Sequence, residues 1–470
     1  MVRIAEFLRD PTVQRQILAD RLAGSESGGL LISRTPVSSP VQHSLCISPP
    51  PMTVSAWPID QIRRQFPGLS RTLHGRTVAF FDGPAGSQTP ECVVDAVCHW
   101  LRHTNCNRGA AFAAGRESDA VMQAAHEAAA DFLNADDPDC VVFGPNMTSL
   151  AMLLSHALAE RWQPGDEILV TRLDHDANVS PWVHAARAAG ATVRHVELRP
   201  TDWTLNLDDF YSKLSAKTRF VAVGMASNAT GTINPVRQMI SAARSVGALT
   251  FVDAVHYAPH GRISVTDLDC DFLACSAYKF FGPHEGILWG RRALLEELRP
   301  WKLRPAPSVL PGMWMTGTGA LEAIAGTAAA INYLASLADL LPQNSDGLNR
   351  RQKLDLVFAA ITEYERTLSL EMLAGLQSVP GIRIHGITDP QQVAGRVPTF
   401  SWTFPDCTPR AVAEWLAERG LCVWNGNAYA LPFTEAAGLE PGGTVRAGAL
   451  HYNTAEEIQR LSEALRQFRG

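Results

Sequence analysis

The run Phe251-Val-Asp-Ala-Val-His-Tyr-Ala-Pro-His260, followed by Asp271-Phe-Leu-Ala-Cys-Ser-Ala-Tyr-Lys-Phe-Phe-Gly282, decides how this chain is read. Each segment carries a short apolar stretch of strand character, and each stretch leads into a chemically active residue: Asp253 in the first, Lys279 in the second. In a parallel sheet the carboxyl ends of the strands open onto one crevice, so these two side chains converge. A lysine just past a hydrophobic strand, between Ser-Ala-Tyr and Phe-Phe-Gly-Pro, has little structural purpose there. Desolvation lowers a lysine pKa and frees the neutral amine for a Schiff base. A carboxylate such as Asp253 can keep a pyridine nitrogen protonated, which makes the ring an electron sink. Taken singly, Asp253 also reads as a helix cap and Lys279 as a snorkelling surface residue.

Outward from this stretch, short apolar runs alternate with helix-length segments. Residues 140–143, 167–173, 192–196, 220–223, 249–255 and 272–275 are expected strands, and 150–161, 182–189 and 236–246 expected helices. That alternation predicts right-handed βαβ units and a mostly parallel α/β sheet. Beyond residue 301 the texture changes to long helices, expected over 320–341 and 351–376, and then to a shorter mixed α/β segment. The expected organisation is a flexible extension over 1–55, a large domain over 91–319, and a smaller domain built from 56–90 and 320–470. Within the extension, residues 1–24 have the pattern of an amphipathic helix and 25–51 that of a Ser/Pro/Gly linker.

The chain has 470 residues, 46% hydrophobic and 19% charged, which suits a large buried core. A formal charge of −6 without a long basic run leaves no electrostatic footprint for nucleic acid. The longest apolar stretch is broken by Glu322 and Asn332, so no membrane role is expected. The nine cysteines lack any C-x-x-C spacing, and Glu6, Asp10 and Asp20 interrupt any signal-peptide core; the expectation is a reduced, cytoplasmic protein. No metal-ligand cluster, G-x-G-x-x-G loop or Walker loop is present, which removes the nicotinamide and P-loop readings.

Several further motifs occur in order. They are Phe81-Asp-Gly-Pro-Ala85, Asn107-Arg-Gly109, Asp174-His-Asp-Ala-Asn178 with Pro181-Trp182, Ser227-Asn-Ala-Thr-Gly-Thr232, Ser276-Ala-Tyr-Lys279, Thr316-Gly-Thr318 and Val445-Arg-Ala447. With these motifs the chain resembles the cysteine desulfurase-like branch of the class V aminotransferases, which are fold-type I pyridoxal phosphate enzymes. The resemblance runs from about residue 79 to 461. It implies a large cofactor domain on a predominantly seven-stranded sheet, plus a smaller α/β domain.

By residue, the resemblance implies Lys279 as the Schiff-base lysine, Asp253 on the pyridine nitrogen, His175 stacked on the ring and Asn228 on the ring hydroxyl. Ser276 and Tyr278 are implied near the phosphate, with Asn146 and Met147 donating through their backbones and Thr148 through its hydroxyl. Thr318 is implied to reach the phosphate of a neighbouring subunit, hence a homodimer, and Arg446 to bind the carboxylate of a small amino-acid substrate. The physical chemistry suits each role: a guanidinium grips a carboxylate bidentately, and a helix start offers N–H groups to phosphate.

The chain also departs from that family. Where desulfurases carry the catalytic cysteine, the loop Trp424-Asn-Gly-Asn-Ala-Tyr-Ala430 holds Tyr429, and a phenol cannot form a persulfide. Cys422 lies seven residues earlier, in expected strand sequence. His256 replaces a glutamine, and a histidine is lost near Ala111. The expected activity is therefore cysteine desulfurase-like chemistry of the C–S lyase type without an enzyme persulfide, with Tyr429, His256, His175 and Lys279 as candidate catalytic groups. The alternatives are an aminotransferase or amino-acid epimerase on the same scaffold, or a non-catalytic sulfur-relay or scaffold protein.

Overall fold

Alternate residues of the central strands bury their side chains in two separate apolar layers, and this two-faced burial defines the architecture. The computed structural model describes residues 57–468, so the expectations for 1–24 and 25–51 lie outside the described residues. In chain order the strands used below are β1 (Ala79–Phe80), β2 (Val141–Gly144), β3 (Glu167–Thr171), β4 (Thr192–Val196), β5 (Thr218–Gly224), β6 (Leu249–Asp253) and β7 (Phe272–Ser276). They continue with β8 (Gly286–Gly290), β9 (Arg383–His385), β10 (Thr399–Thr403), β11 (Leu421–Cys422), β12 (Trp424–Gly426) and β13 (Thr444–Gly448).

The main sheet has the order β2-β8-β7-β6-β5-β3-β4. Strands β3 to β7 pair in parallel, and β8 alone runs antiparallel, between β7 and β2. Such strands read as continuous apolar runs because helices cover both faces. On one face Phe220, Phe251, Phe272 and Leu288 pack against the helices α1 (Met147–Ala159) and α2 (Ser180–Ala189). On the other face Val221, Val252, Leu273 and Ile287 join the larger core. Trp182 of α2 anchors the first layer, its ring 4.6 Å from Phe220 and 4.9 Å from Phe251, with its indole N–H donated to Asn178 Oδ1.

The smaller sheet, β9-β10-β13-β12, is antiparallel, and β1 pairs in parallel with β11. Between the sheets in sequence lie α3 (Leu321–Ser336) and the 28-residue α4 (Arg350–Gln377). The apolar stretch Leu321–Leu340 is long enough to cross a membrane, but 72% of it is buried inside the protein, as a core helix is.

Two expectations need correction, and two elements were not foreseen. The strand expected over 249–255 stops at Asp253, whose carboxylate accepts the Val255 N–H and turns the chain. The helix expected from residue 150 starts at Met147, because Asn146 caps it through the Ser149 N–H. The antiparallel β8 and the long helix Ala113–Leu133 were not expected at all; β8 is only Gly-Ile-Leu-Trp-Gly, too short and glycine-bounded for its period to show. Phe251→Ala should cost about 3–5 kcal/mol in urea unfolding, since it empties a packed aromatic site against Trp182. A loss below about 1 kcal/mol would mean that layer is not the core it looks to be.

Candidate active site

The parallel register Val252↔Leu273 and Asp253↔Ala274 places the end of β6 beside β7, two residues before β7 itself ends. Asp253 ends β6, Ser276 ends β7, and Lys279 closes the following 3₁₀ turn, Ala277–Lys279. All three line one cavity, together with Asn146, Met147, Thr148, Asp174, His175, Asn228, His256 and Tyr278. The convergence expected from the two strand ends is thus present.

Burial dominates the electrostatics. It lowers Lys279 to about 7, with the Arg446 charge adding to the effect and Asp253 opposing it. The ammonium donates to the carbonyls of Pro84 and Ala85, the latter at 3.0 Å. Burial likewise raises Asp253 to about 6 although Val255 N–H donates to its Oδ1 at 2.8 Å. His175 is pushed down to about 4, by burial first and then by Lys279 and Arg446. Its Nδ1 accepts the Ala177 N–H at 3.0 Å. Burial also takes His256 well below the ordinary histidine value, and its Nε2 pairs with Thr399 Oγ1 at 3.0 Å.

Also lining the cavity is the start of α1, with Asn146 as its cap. Met147 N–H donates to Ser276 Oγ at 3.1 Å, while Thr148 is exposed at the helix start. The backbones approach so closely here that only glycine fits at 286: a Cβ would stand 2.4 Å from the Asn146 carbonyl carbon. Asn228 donates Nδ2 to Ala428 O at 2.8 Å, which leaves its buried Oδ1 without a partner. Arg446 on β13 is buried, gives Nη1 to Asn228 O at 2.8 Å and keeps its Nε unpaired.

These features fit pyridoxal phosphate. The cavity offers a helix N-terminus and hydroxyls for a phosphate, a carboxylate for a pyridine nitrogen and a buried low-pKa amine for an aldehyde. It also offers an orphaned amide oxygen, Asn228 Oδ1, able to accept from a ring hydroxyl.

Three expected residues do not line this cavity: Arg446, placed on β13 above, Thr318 and Tyr429. Thr318 lines a separate hollow with Gly144, Ser149, Glu285 and Thr316, not the Lys279 cavity of its own chain. Tyr429 does not line the cavity: Ala428 and Tyr429 have φ of +52° and +57°, and the phenol is 72% exposed, stacked on His175 at 5.5 Å. Cys422 is half-buried in β11, and burial raises its thiol pKa.

Sequence reading passed over Asp174 and Asp82. Asp174 lines the cavity, takes Thr171 Oγ1 at 2.7 Å and Gly224 N–H at 2.6 Å, and is raised to about 7, by burial first and also by nearby Asp253. Asp82, raised to about 6 by burial, feels both Arg446 and Lys279 and has an unpartnered Oδ1. Both stand inside motifs already singled out, and their position there was the available signal. Among the described residues no cluster of metal-ligating side chains occurs.

In cofactor-free protein, acylation of Lys279 followed by mass spectrometry should be half-maximal near pH 7. A midpoint near the free-lysine value of about 10.4 would refute the buried-amine assignment.

The family model of class-V aminotransferases matches residues 79–341 and 350–461. A cysteine desulfurase of Synechococcus elongatus is 33% identical over 430 residues, covering 87% of this chain; the chain spans 63% of that protein's length. The aminotransferase-like protein FGM3 of Gibberella zeae is 33% identical, covering 88% of this chain and 99% of that one. Among solved structures, the cysteine desulfurase CsdA of Escherichia coli superposes with a TM-score of 0.72 at 26% identity, over 86% of this chain and 97% of its own.

Proposed function

The chain belongs to the class V aminotransferase family, and from that premise we propose that it acts on a small α-amino acid or its conjugate as a C–S lyase that carries no persulfide. It is a pyridoxal phosphate-dependent enzyme of the cysteine desulfurase-like type. When bound, the cofactor supplies an electron sink for negative charge developing at the substrate's α carbon. The observation that carries the proposal is the meeting of Asp253 and Lys279 in one buried cavity at the ends of neighbouring parallel strands.

In this reading Lys279 would hold the cofactor through its amine. Asp253 keeps the pyridine nitrogen protonated, Asn228 accepts from the ring hydroxyl through Oδ1, and His175 covers a ring face. The start of α1 with Thr148, Ser276 and Tyr278 takes the phosphate. Arg446 binds the substrate carboxylate and so orients the bond to be broken. His256 is neutral and buried, able to accept or donate within the cavity.

The absence of an enzyme persulfide is supported by two observations. The loop residue at the cysteine's place is Tyr429, and Cys422 is held in a strand with a raised thiol pKa, which disfavours the thiolate. With His256 and Lys279 in the cavity, amino transfer or epimerisation is the competing outcome of the same first step. A homodimer is the proposed working unit: Thr318 lies outside its own chain's cavity, and Trp301, Leu303 and Val309 beside that segment are exposed apolar residues.

An amino-acid panel read for both sulfide and keto acid tests the activity. Free sulfide without protein-bound persulfide is expected, and Lys279→Ala should abolish turnover while keeping the native circular dichroism. Retained turnover in that variant, or a stoichiometric persulfide on Cys422, would defeat the proposal. Light scattering should give twice the 51.0 kDa chain mass. Full activity from a monomer would rule out the shared site.

A further inference from the structure

Building on the reading of the cavity as a pyridoxal phosphate site, we propose that His175 is locked as the neutral Nε2–H tautomer. It then works as a fixed hydrogen-bond donor and ring wall, not as an acid or base that changes protonation. The argument starts from a backbone group. Ala177 N–H points at His175 Nδ1 over 3.0 Å, and an amide N–H can only donate. Nδ1 must therefore present its lone pair, and the single proton of the neutral ring sits on Nε2.

The donor cannot swing aside. Ala177 is the middle residue of the 3₁₀ turn Asp176–Asn178, and that turn is tied at each position. Asp176 N–H donates to Tyr429 O at 2.7 Å and Ser180 Oγ to Asp176 Oδ2 at 2.7 Å. Asn178 N–H donates to His175 O at 2.8 Å, and Asn178 Oδ1 receives the buried Trp182 indole at 3.1 Å. A proton added to Nδ1 would face the Ala177 N–H, two donors head to head.

The surroundings favour the same state. The charged groups acting on His175 are Lys279 and Arg446, both cations; Asp174 and Asp253 line the same cavity, and His256 feels His175 across it. The Tyr429 ring lies against His175 within 21° of parallel, and no carboxylate among the described residues bonds to the imidazole. Burial adds to this, taking the imidazolium form down to about 4. Removing the Nε2 proton instead would leave an imidazolate.

The test is nitrogen NMR of [¹⁵N]histidine-labelled protein, cofactor-free and cofactor-loaded, with the His175 signals assigned by their loss in His175→Phe. From about pH 5.5 to about pH 8.5, across the free-histidine value of about 6.5, Nε2 should stay protonated and Nδ1 bare. A proton on Nδ1, or both nitrogens gaining protons as the pH falls, overturns the proposal. In parallel, His175→Gln should lose less than the ~10²-fold that removing a general acid or base costs, with the limbs of its kcat–pH profile unmoved. Disappearance of a limb would make His175 the titrating group and defeat the proposal. Failure of the cofactor reading shows separately, as unchanged visible absorbance when pyridoxal phosphate is added to the wild-type protein.

Discussion

The parallel pairing of β6 with β7 is the constraint on which the rest of the site depends. It sets Asp253 and the Lys279 turn side by side at one sheet edge, where both are buried. Bringing an amine and a carboxylate out of water together is costly, and the shifts of both toward their neutral forms record that cost. The fold accepts it because the strands beneath are packed on both faces and cannot move apart to let water in.

The smaller sheet contributes through a second buried cation. The Arg396 guanidinium gives hydrogen bonds to the carbonyls of Ile387, Thr230 and Thr399 and lies 3.5 Å from the Phe400 ring, with no carboxylate partner among the described residues. It thereby ties the turn that follows Asn228 to the strand that begins at Thr399. At Gly231, φ is +76° and a Cβ would come within 2.3 Å of Thr399 O, so this close approach needs glycine. Thr399 in turn holds His256. Groups from both sheets therefore place the cavity's asparagine and histidine.

Much of this was legible from residues alone, for physical reasons. Parallel strands buried on both faces leave largely apolar runs, so β3 and β5 to β7 could be found to within a few residues, and Asp253 and Lys279 stood out because polar groups follow those runs. The ends were less legible, since Asp253 turns the chain through a side-chain hydrogen bond that carries no periodicity. Where the Tyr429 ring stands could not be read from the sequence for a related reason. Its position depends on two successive left-handed residues, neither a glycine, and no pattern of residue types announces them. Asp174 and Asp82 were quoted within motifs but given no task, because carboxylate burial is a property of the assembled fold.

Strand β8 has a consequence for how the molecule is made. It separates β2 from β7, so the loop that leads from β2 into α1 becomes part of the site only when residues 286–290 have been inserted. Those residues follow β2 by well over a hundred positions, and closing so long a loop is entropically slow. During synthesis Lys279 thus emerges before residues 286–290, and the burial that lowers its pKa exists only once the fold around it has assembled. Order of emergence from the ribosome keeps the lysine without a complete binding site until the strand that completes the sheet arrives.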